Sequence, residues 1–325
     1  MVSNAIFNIQ TAKDFENVAL DVFNFQYLNN SVYQRFCDYL NTKPEKVENL
    51  EDIPFLPIQF FKSQKVTTDL QHTDIIFSSS GTTGTVTSKH FVKDLSIYEK
   101  SYRKAFQHFY GNIEDYAVLA LLPAYLERKG SSLIYMANDF INRSNNEHSG
   151  FYLNDLKHLK EKLDLLESRN QKTLLLGVSF ALLDLVETYS LHLKNTIVME
   201  TGGMKGRRKE IIRAELHQIL SNGLGVQKIH SEYGMTELLS QGYSKGDGIF
   251  ECPPWMKIIT RDTDDPLSLQ KPGKTGGINV IDLANINSCS FIATQDLGKV
   301  FSDGSFEIIG RFDNSDIRGC NLMAL

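Results

Sequence analysis

The stretch Phe77-Ser78-Ser79-Ser80-Gly81-Thr82-Thr83-Gly84, FSSSGTTG, follows the apolar run TDIIF and runs into the polar tail TVTSKH. So many hydroxyls and glycines in one turn contribute little to a core. They suit a different task. Glycines let the backbone approach an anion closely, its N–H groups and the Ser and Thr hydroxyls are donors, and a loop of this kind after a strand cradles phosphate oxygens. The Walker A pattern requires G-x-x-x-x-G-K-[ST]. Here Gly81 and Gly84 are three apart and the next lysine, Lys89, lies five beyond Gly84, so the loop is not that P-loop. Taken alone, the stretch also fits a surface turn held by local Ser and Thr bonding.

Around the loop, short apolar strands alternate with amphipathic helices. DIIFS precedes LSIYEKSYRKAFQHFYG, YAVLALLP precedes SSLIYMANDFINRS, KTLLLGV precedes FALLDLVETYSLHL, and NTIVME precedes KGRRKEIIRAELHQIL. This alternation predicts an α/β protein with a mostly parallel sheet covered on both faces. Upstream, TAKDFENVALDVFNFQYLN and VYQRFCDYLN carry helical spacing until the prolines of EDIPFLPIQFF break it. After about residue 245, WMKIIT, GINVID, SFIAT and SFEIIG read as strands between Gly, Asp and Pro turns. The expected organisation is a helical segment over 1–70, an α/β core over 71–245, and a β-rich subdomain over 246–325 ending in a tail with Cys320.

The 325 residues are 42% hydrophobic and 22% charged, enough for one large core or two smaller ones. A net charge of -5 argues against nucleic acid, the longest basic cluster being Lys205-Gly206-Arg207-Arg208-Lys209 at the start of a predicted helix. The N-terminus has neither a basic nor a continuous apolar region, and TLLLGVSFALLDLV is too short and interrupted to cross a bilayer. A cytoplasmic protein with no membrane span is expected. Cys37, Cys252, Cys289 and Cys320 form no C-x-x-C pair, so neither a disulfide framework nor a zinc site is suggested.

Other segments then agree with the loop. SSSGTTG resembles the signature loop of the adenylate-forming superfamily of acyl-CoA synthetases, adenylation domains and luciferases. That superfamily's later Y-G-x-T-E stands here as Tyr233-Gly234-Met235-Thr236-Glu237, its ribose-binding aspartate as Asp296 in TQDLG, and its G-R-x-D as Gly310-Arg311-Phe312-Asp313. The resemblance spans about residues 75–320 and implies the large-domain fold of that superfamily. It implies that Ser79, Ser80, Gly81, Thr82, Thr83 and Gly84 grip the ATP phosphates, that Gly202 and Gly203 in METGGMKG flank the adenine, and that Tyr233, with Gly234, lies against it. It further implies that Thr236 donates to the α-phosphate, Glu237 ligates Mg²⁺, Asp296 holds the ribose and Arg311 completes the nucleotide site. Asp296 also fits a turn former ahead of Gly298.

Members of the superfamily continue past G-R-x-D into a mobile C-terminal domain carrying a lysine that assists adenylation. With the sequence ending at Leu325, that domain is expected to be missing. The last residues, GRFDNSDIRGCNLMAL, resemble the acyl-protein synthetase (LuxE-type) branch, the fatty-acid-activating component of bacterial fatty acid reductases. In that branch a cysteine close to the C-terminus takes the acyl group from the adenylate and hands it to a partner. The resemblance implies that Cys320 does so here, passing the group to a reductase or carrier protein. The nine-residue distance from Arg311 spans up to about 30 Å when extended, and Arg318 favours the thiolate. Free cysteines are otherwise usually core residues, and Cys252 and Cys289 are read that way.

Ser179 lies in a G-x-S-x-A context between a strand and a helix, where a nucleophile elbow would place it. Ala181 replaces the elbow's last glycine, so a helix N-cap is the preferred reading. His230 is taken as structural, and Lys89 and His90 follow the loop without the proline-lysine spacing of the superfamily. The leading reading is a ligase that activates a carboxylic acid, by resemblance a long-chain fatty acid, to acyl-AMP and forms a thioester on Cys320. An acyl-CoA or acyl-carrier-protein ligase, an inactive nucleotide-binding scaffold subunit, and a serine acyltransferase or hydrolase remain as alternatives.

Overall fold

The computed structural model describes residues 5–79, 86–122, 130–153, 155–202 and 211–312. Residues 80–84 of the glycine-rich loop, Gly203, the basic cluster 205–209 and Cys320 lie outside the described residues. The chain forms two compact units, one comprising Met1–Tyr102, Gly234–Gln241 and Glu251–Leu325, the other Arg103–Tyr233 and Gly242–Phe250.

In the first unit, the expected helices are α1 (Ala12–Asn29) and α2 (Ser31–Tyr39). Thr11 and Asp14 form a reciprocal capping box at the start of α1, and the Asn30 side chain accepts from the Val32 and Tyr33 N–H groups to start α2. Strand β1 (Leu56–Pro57), a short helix over Phe60–Ser63, and the hairpin β2 (Ile75–Ser78) and β3 (Lys89–Val92) follow. The expectation that DIIFS joins the parallel sheet is corrected here. It pairs antiparallel with β3 in a sheet of two strands, because KHFV directly after the loop is itself a strand. Helix α3 (Leu95–Tyr110) begins where Asp74 Oδ2 accepts from the Leu95 N–H, at 2.9 Å.

The second unit is built on β4 (Ala117–Leu121), α4 (Ser132–Ser144), β5 (Gly150–Phe151), α5 (Leu156–Ser168), β6 (Thr173–Val178), α6 (Ser179–Thr188), β7 (Thr196–Thr201), α7 (Arg213–Leu224), β8 (His230–Tyr233), β9 (Gly242–Ser244) and β10 (Ile249–Glu251). Its strands lie in the order β10-β9-β8-β7-β6-β4-β5, parallel from β8 through β5, with β9 antiparallel to β8. AVLAL and TLLLGV are buried along their whole lengths, as both-face coverage by helices requires. Two helix expectations change. SLHL is not helical, since α6 ends at Thr188, and LKHLKEKLDLLES forms α5 although the strand-helix reading passed over it. Its Leu159, Leu163 and Leu166 recur at helical spacing and are buried.

The β-rich end of the chain completes the first unit as β11 (Met256–Arg261), β12 (Thr275–Asp282), β13 (Phe291–Val300) and β14 (Phe306–Arg311), all antiparallel, with β1 parallel to β13. Phe23 and Tyr33 pack on Phe291 at ring separations of 6.3 and 6.1 Å. Buried Gln26 closes the same interface. Its amide donates to the Asn285 and Ile286 carbonyls and to Ser290 Oγ, and its oxygen accepts from the Ser290 N–H. A buried amide with every group partnered costs little and fixes the register of helix against strand.

Candidate functional site

In the first unit the glycine-rich loop is anchored at both feet. The Ser79 N–H donates to the Ser88 carbonyl at 3.1 Å, and the Ser88 N–H donates to Ser79 Oγ at 2.9 Å. Ser79 thus uses its hydroxyl oxygen to close the base of the loop. Ser88, directly before β3, and His90, within it, are both buried, while Lys89 between them is exposed, as extended backbone alternates its side chains.

That buried side meets the Y-G-x-T-E segment. The His90 ring nitrogen Nδ1 lies 2.9 Å from the Thr236 carbonyl oxygen. A carbonyl only accepts, so Nδ1 carries the proton and Nε2 is the bare nitrogen. Burial pushes the ring down to about 4, against a weaker upward pull from this bond, and keeps it neutral near pH 7. Glu237 is 7% exposed. Burial holds its carboxyl above the usual carboxylate range, opposed by hydrogen bonds from the Ser88 hydroxyl and from its own N–H and by the charges of Arg311 and Lys62. Its carbonyl accepts from Asn285 Nδ2 at 2.7 Å. Beyond it, Asp282 accepts from the Leu239 and Ser240 N–H groups at 2.7 and 2.9 Å and from the Ser240 hydroxyl. Burial raises the Asp282 carboxyl to about 6 despite these donors. Residues 236–240 are therefore clamped by buried side chains remote in sequence, leaving Thr236 partly exposed and Gly234 open.

Asp296 and Arg311 face each other across β13 and β14, and Arg311 Nε donates to Asp296 Oδ1 at 3.0 Å. The turn-former alternative for Asp296 is corrected, because it sits inside the ten-residue β13 and is 4% exposed. Fifteen residues of sequence separate the pair, and the antiparallel pairing of β13 with β14 brings them together.

In the second unit, the C-terminal ends of parallel β7 and β8 place Gly202 and Tyr233 one residue beyond the paired Thr201 and Glu232. Gly202 has a φ of 68°, the left-handed region that glycine enters without strain. Tyr233 packs edge-on against Phe250 at 6.0 Å. Behind them lies a polar group that the sequence did not signal. Buried Glu200 accepts from the Ser179 hydroxyl at 3.0 Å and from the Ser231 hydroxyl at 2.9 Å, with His217 and Arg213 each at 3.6 Å. Thr201 Oγ1 donates to Glu232, whose enclosed carboxyl burial raises to about 7.

This network corrects the N-cap reading of Ser179. Val178 occupies the cap without a side-chain bond, and the Ser179 hydroxyl lies within bonding distance of both Glu200 and the Gly202 carbonyl, 3.1 Å away. A hydroxyl held by a carboxylate and a carbonyl braces the Gly202 turn. His230 bonds Tyr110 at 3.2 Å, and burial, with Lys245 and Lys228 adding, pushes it down to about 4. Cys37 and Cys289 are buried, whereas Cys252 keeps partial exposure, and burial raises all three thiols. Among the described residues, no group of three or more His, Cys, Asp or Glu could hold a metal ion, and no helix is long and apolar enough to cross a membrane.

Missed in the sequence were Ser88, Asn285, Asp282, Glu200 and Glu232, while His90 was noted only as following the loop without the superfamily's spacing. The available signal was a polar residue at an inward strand position, as in S-K-H and in the acidic ends of TIVMET and HSEY.

This architecture is the fold of the adenylate-forming enzymes. ATP-bound MatB from Rhodopseudomonas palustris superposes with a TM-score of 0.55 at 18% identity over 73% of this chain and 47% of that one. A 2-hydroxyisobutyryl-CoA ligase in complex with 2-HIB-AMP and CoA gives 0.67 at 12% identity over 94% of this chain and 77% of that one. The chain spans about half the length of MatB. The model of the acyl-protein synthetase family, LuxE, matches residues 6–109, which take in the helical N-terminal segment and the glycine-rich loop but not the later motifs. No curated protein matches in sequence.

Proposed function

We propose that the protein is an AMP-forming ligase that activates a carboxylic acid with ATP and forms an acyl thioester on Cys320. The observation that carries the reading is the buried carboxyl of Glu237, beside Ser88 at the foot of the glycine-rich loop. Burying a carboxylate is costly unless cations compensate it, the charges of Arg311 and Lys62 do so only in part, and one or two carboxylates together with substrate phosphates are the usual Mg²⁺ environment. The residues therefore fit Mg²⁺, with Glu237 as its protein ligand. Bound there, the ion would neutralise charge on the phosphate oxygens.

The substrate carboxylate attacks the α-phosphorus, the bond to the bridging oxygen breaks, and pyrophosphate leaves with the bonding pair. Thr236 and the loop hydroxyls donate to the α-phosphate and to the departing oxygens. Charge develops on phosphate oxygens in this step, so donors fixed beforehand do more than acid–base groups. Asp296 accepts from the ribose hydroxyls, and Tyr233 and the Gly202 turn flank the adenine. The Cys320 thiolate then attacks the acyl carbonyl, the bond to the phosphate oxygen breaks, and AMP leaves. The family match supports an acyl chain passed onward to a partner such as a reductase or carrier, and an apolar fatty acid as its source.

Protein incubated with ATP, Mg²⁺ and radiolabelled fatty acid tests this. Wild type and Cys320→Ala should both catalyse ATP–pyrophosphate exchange, and only wild type should retain hydroxylamine-sensitive label after denaturation. Label moving to added coenzyme A in both proteins identifies a coenzyme A ligase instead, and absence of exchange in both identifies a scaffold.

A further inference from the structure

We propose that Ser88 and His90 are positioning residues that lock the Thr236–Glu237 segment to the strand leaving the glycine-rich loop. The inference rests on the adenylation reading and concerns side chains that no motif of the resemblance includes. Its basis is geometric. Ser88, directly before β3, and His90, within it, are two residues apart and both buried; Ser88 favours the charged form of the nearby Glu237 carboxyl, and the His90 ring bonds the Thr236 carbonyl at 2.9 Å. Ser88 is tied through its backbone to Ser79, and His90 pairs with Phe77 in the strand that enters the loop. Displacement of the loop base is thus carried directly to the residues proposed to hold the α-phosphate and Mg²⁺.

A simple core histidine would be held by its shape. This ring stands edge-on to Phe61 at 5.7 Å, and no described residue bonds its Nε2. Its polar connection among the described residues is therefore the bond to the catalytic segment. An N–H that holds a backbone carbonyl fixes the peptide plane on which the Thr236 and Glu237 side chains are mounted, and the transition state is sensitive to small errors in such placement.

Three variants separate position from packing. His90→Leu removes the donor at similar volume, His90→Asn returns an N–H near the site of Nδ1, and Ser88→Ala removes the hydroxyl. In ATP–pyrophosphate exchange, His90→Leu and Ser88→Ala should lower kcat about 10- to 100-fold with KM for ATP changed less than about threefold. His90→Asn should recover to within about fivefold of wild type, with circular dichroism unchanged in all three. In the ligand-free protein, ¹⁵N NMR of labelled histidine should show a neutral His90 ring protonated on Nδ1. A proton on Nε2, a wild-type kcat in folded His90→Leu, or an Asn variant as impaired as Leu overturns the inference while leaving the adenylation reading intact. Wild type without exchange overturns that reading and the inference with it.

Discussion

Glu237 and Glu232 sit five residues apart and are both held above the usual carboxylate range by burial, yet different consequences follow. Glu237 faces the loop base, so Glu237→Gln should lower pyrophosphate exchange by about 100-fold or more and blunt its dependence on Mg²⁺, as titration of the metal in the exchange assay will show. Glu232 bonds Thr201 with like-charged Glu200 nearby, and is raised from an ordinary 4.5 to about 7. The folded state therefore holds this proton more tightly than the unfolded chain. Its contribution is complete below pH 4.5 and is lost as pH rises towards 7, amounting to about 3 kcal/mol across that window. Glu232→Gln keeps a neutral side chain at every pH, so its unfolding temperature should exceed that of wild type at pH 8 and match it near pH 4.5. A thermal melt series from pH 4.5 to 8 reads the difference.

At the scale of elements, the segment after Tyr233 is neither helix nor strand at residues 234–241, and it keeps its shape because other elements supply partners. Asp282, at the end of β12, is the most connected of these. It accepts from the Leu239, Ser240 and Ala284 N–H groups and from the Ser240 hydroxyl, while Trp255 Nε1 donates to Ser240 Oγ at 3.1 Å. Asp282→Ala leaves several buried donors without an acceptor, and each costs about 1–3 kcal/mol. The expected loss is at least about 3 kcal/mol in urea unfolding, against about 1 kcal/mol for Thr11→Ala at the capping box of α1. Apart from α5, which the reading passed over, the main helices and the parallel strands of the second unit were legible because local periodicity reports them. The β2–β3 hairpin was not, because only four residues of β3 follow the loop and their alternation is too short to stand out.

For the whole molecule, ATP with Mg²⁺ should raise the unfolding temperature, with a stabilisation of about 2.7 kcal/mol at a free concentration 100 times the dissociation constant. Differential scanning fluorimetry with ATP, with GTP, and with ATP plus chelator tests both nucleotide preference and metal requirement. A molecule whose melting is unmoved by ATP does not hold the nucleotide proposed. The sequence by itself determined the α/β class, the parallel strands of the second unit, the order of the four motifs and the resemblance to acyl-protein synthetases, since runs, spacings and glycine positions are local properties of the chain. Tertiary structure decided that Asp296 meets Arg311, that Ser179 braces Gly202 through Glu200, and that His90 and Asp282 hold the residues around Glu237. Each of these joins groups far apart in the chain. Such bonds are specified by strand register and by the need to satisfy buried polar atoms, which no local pattern encodes.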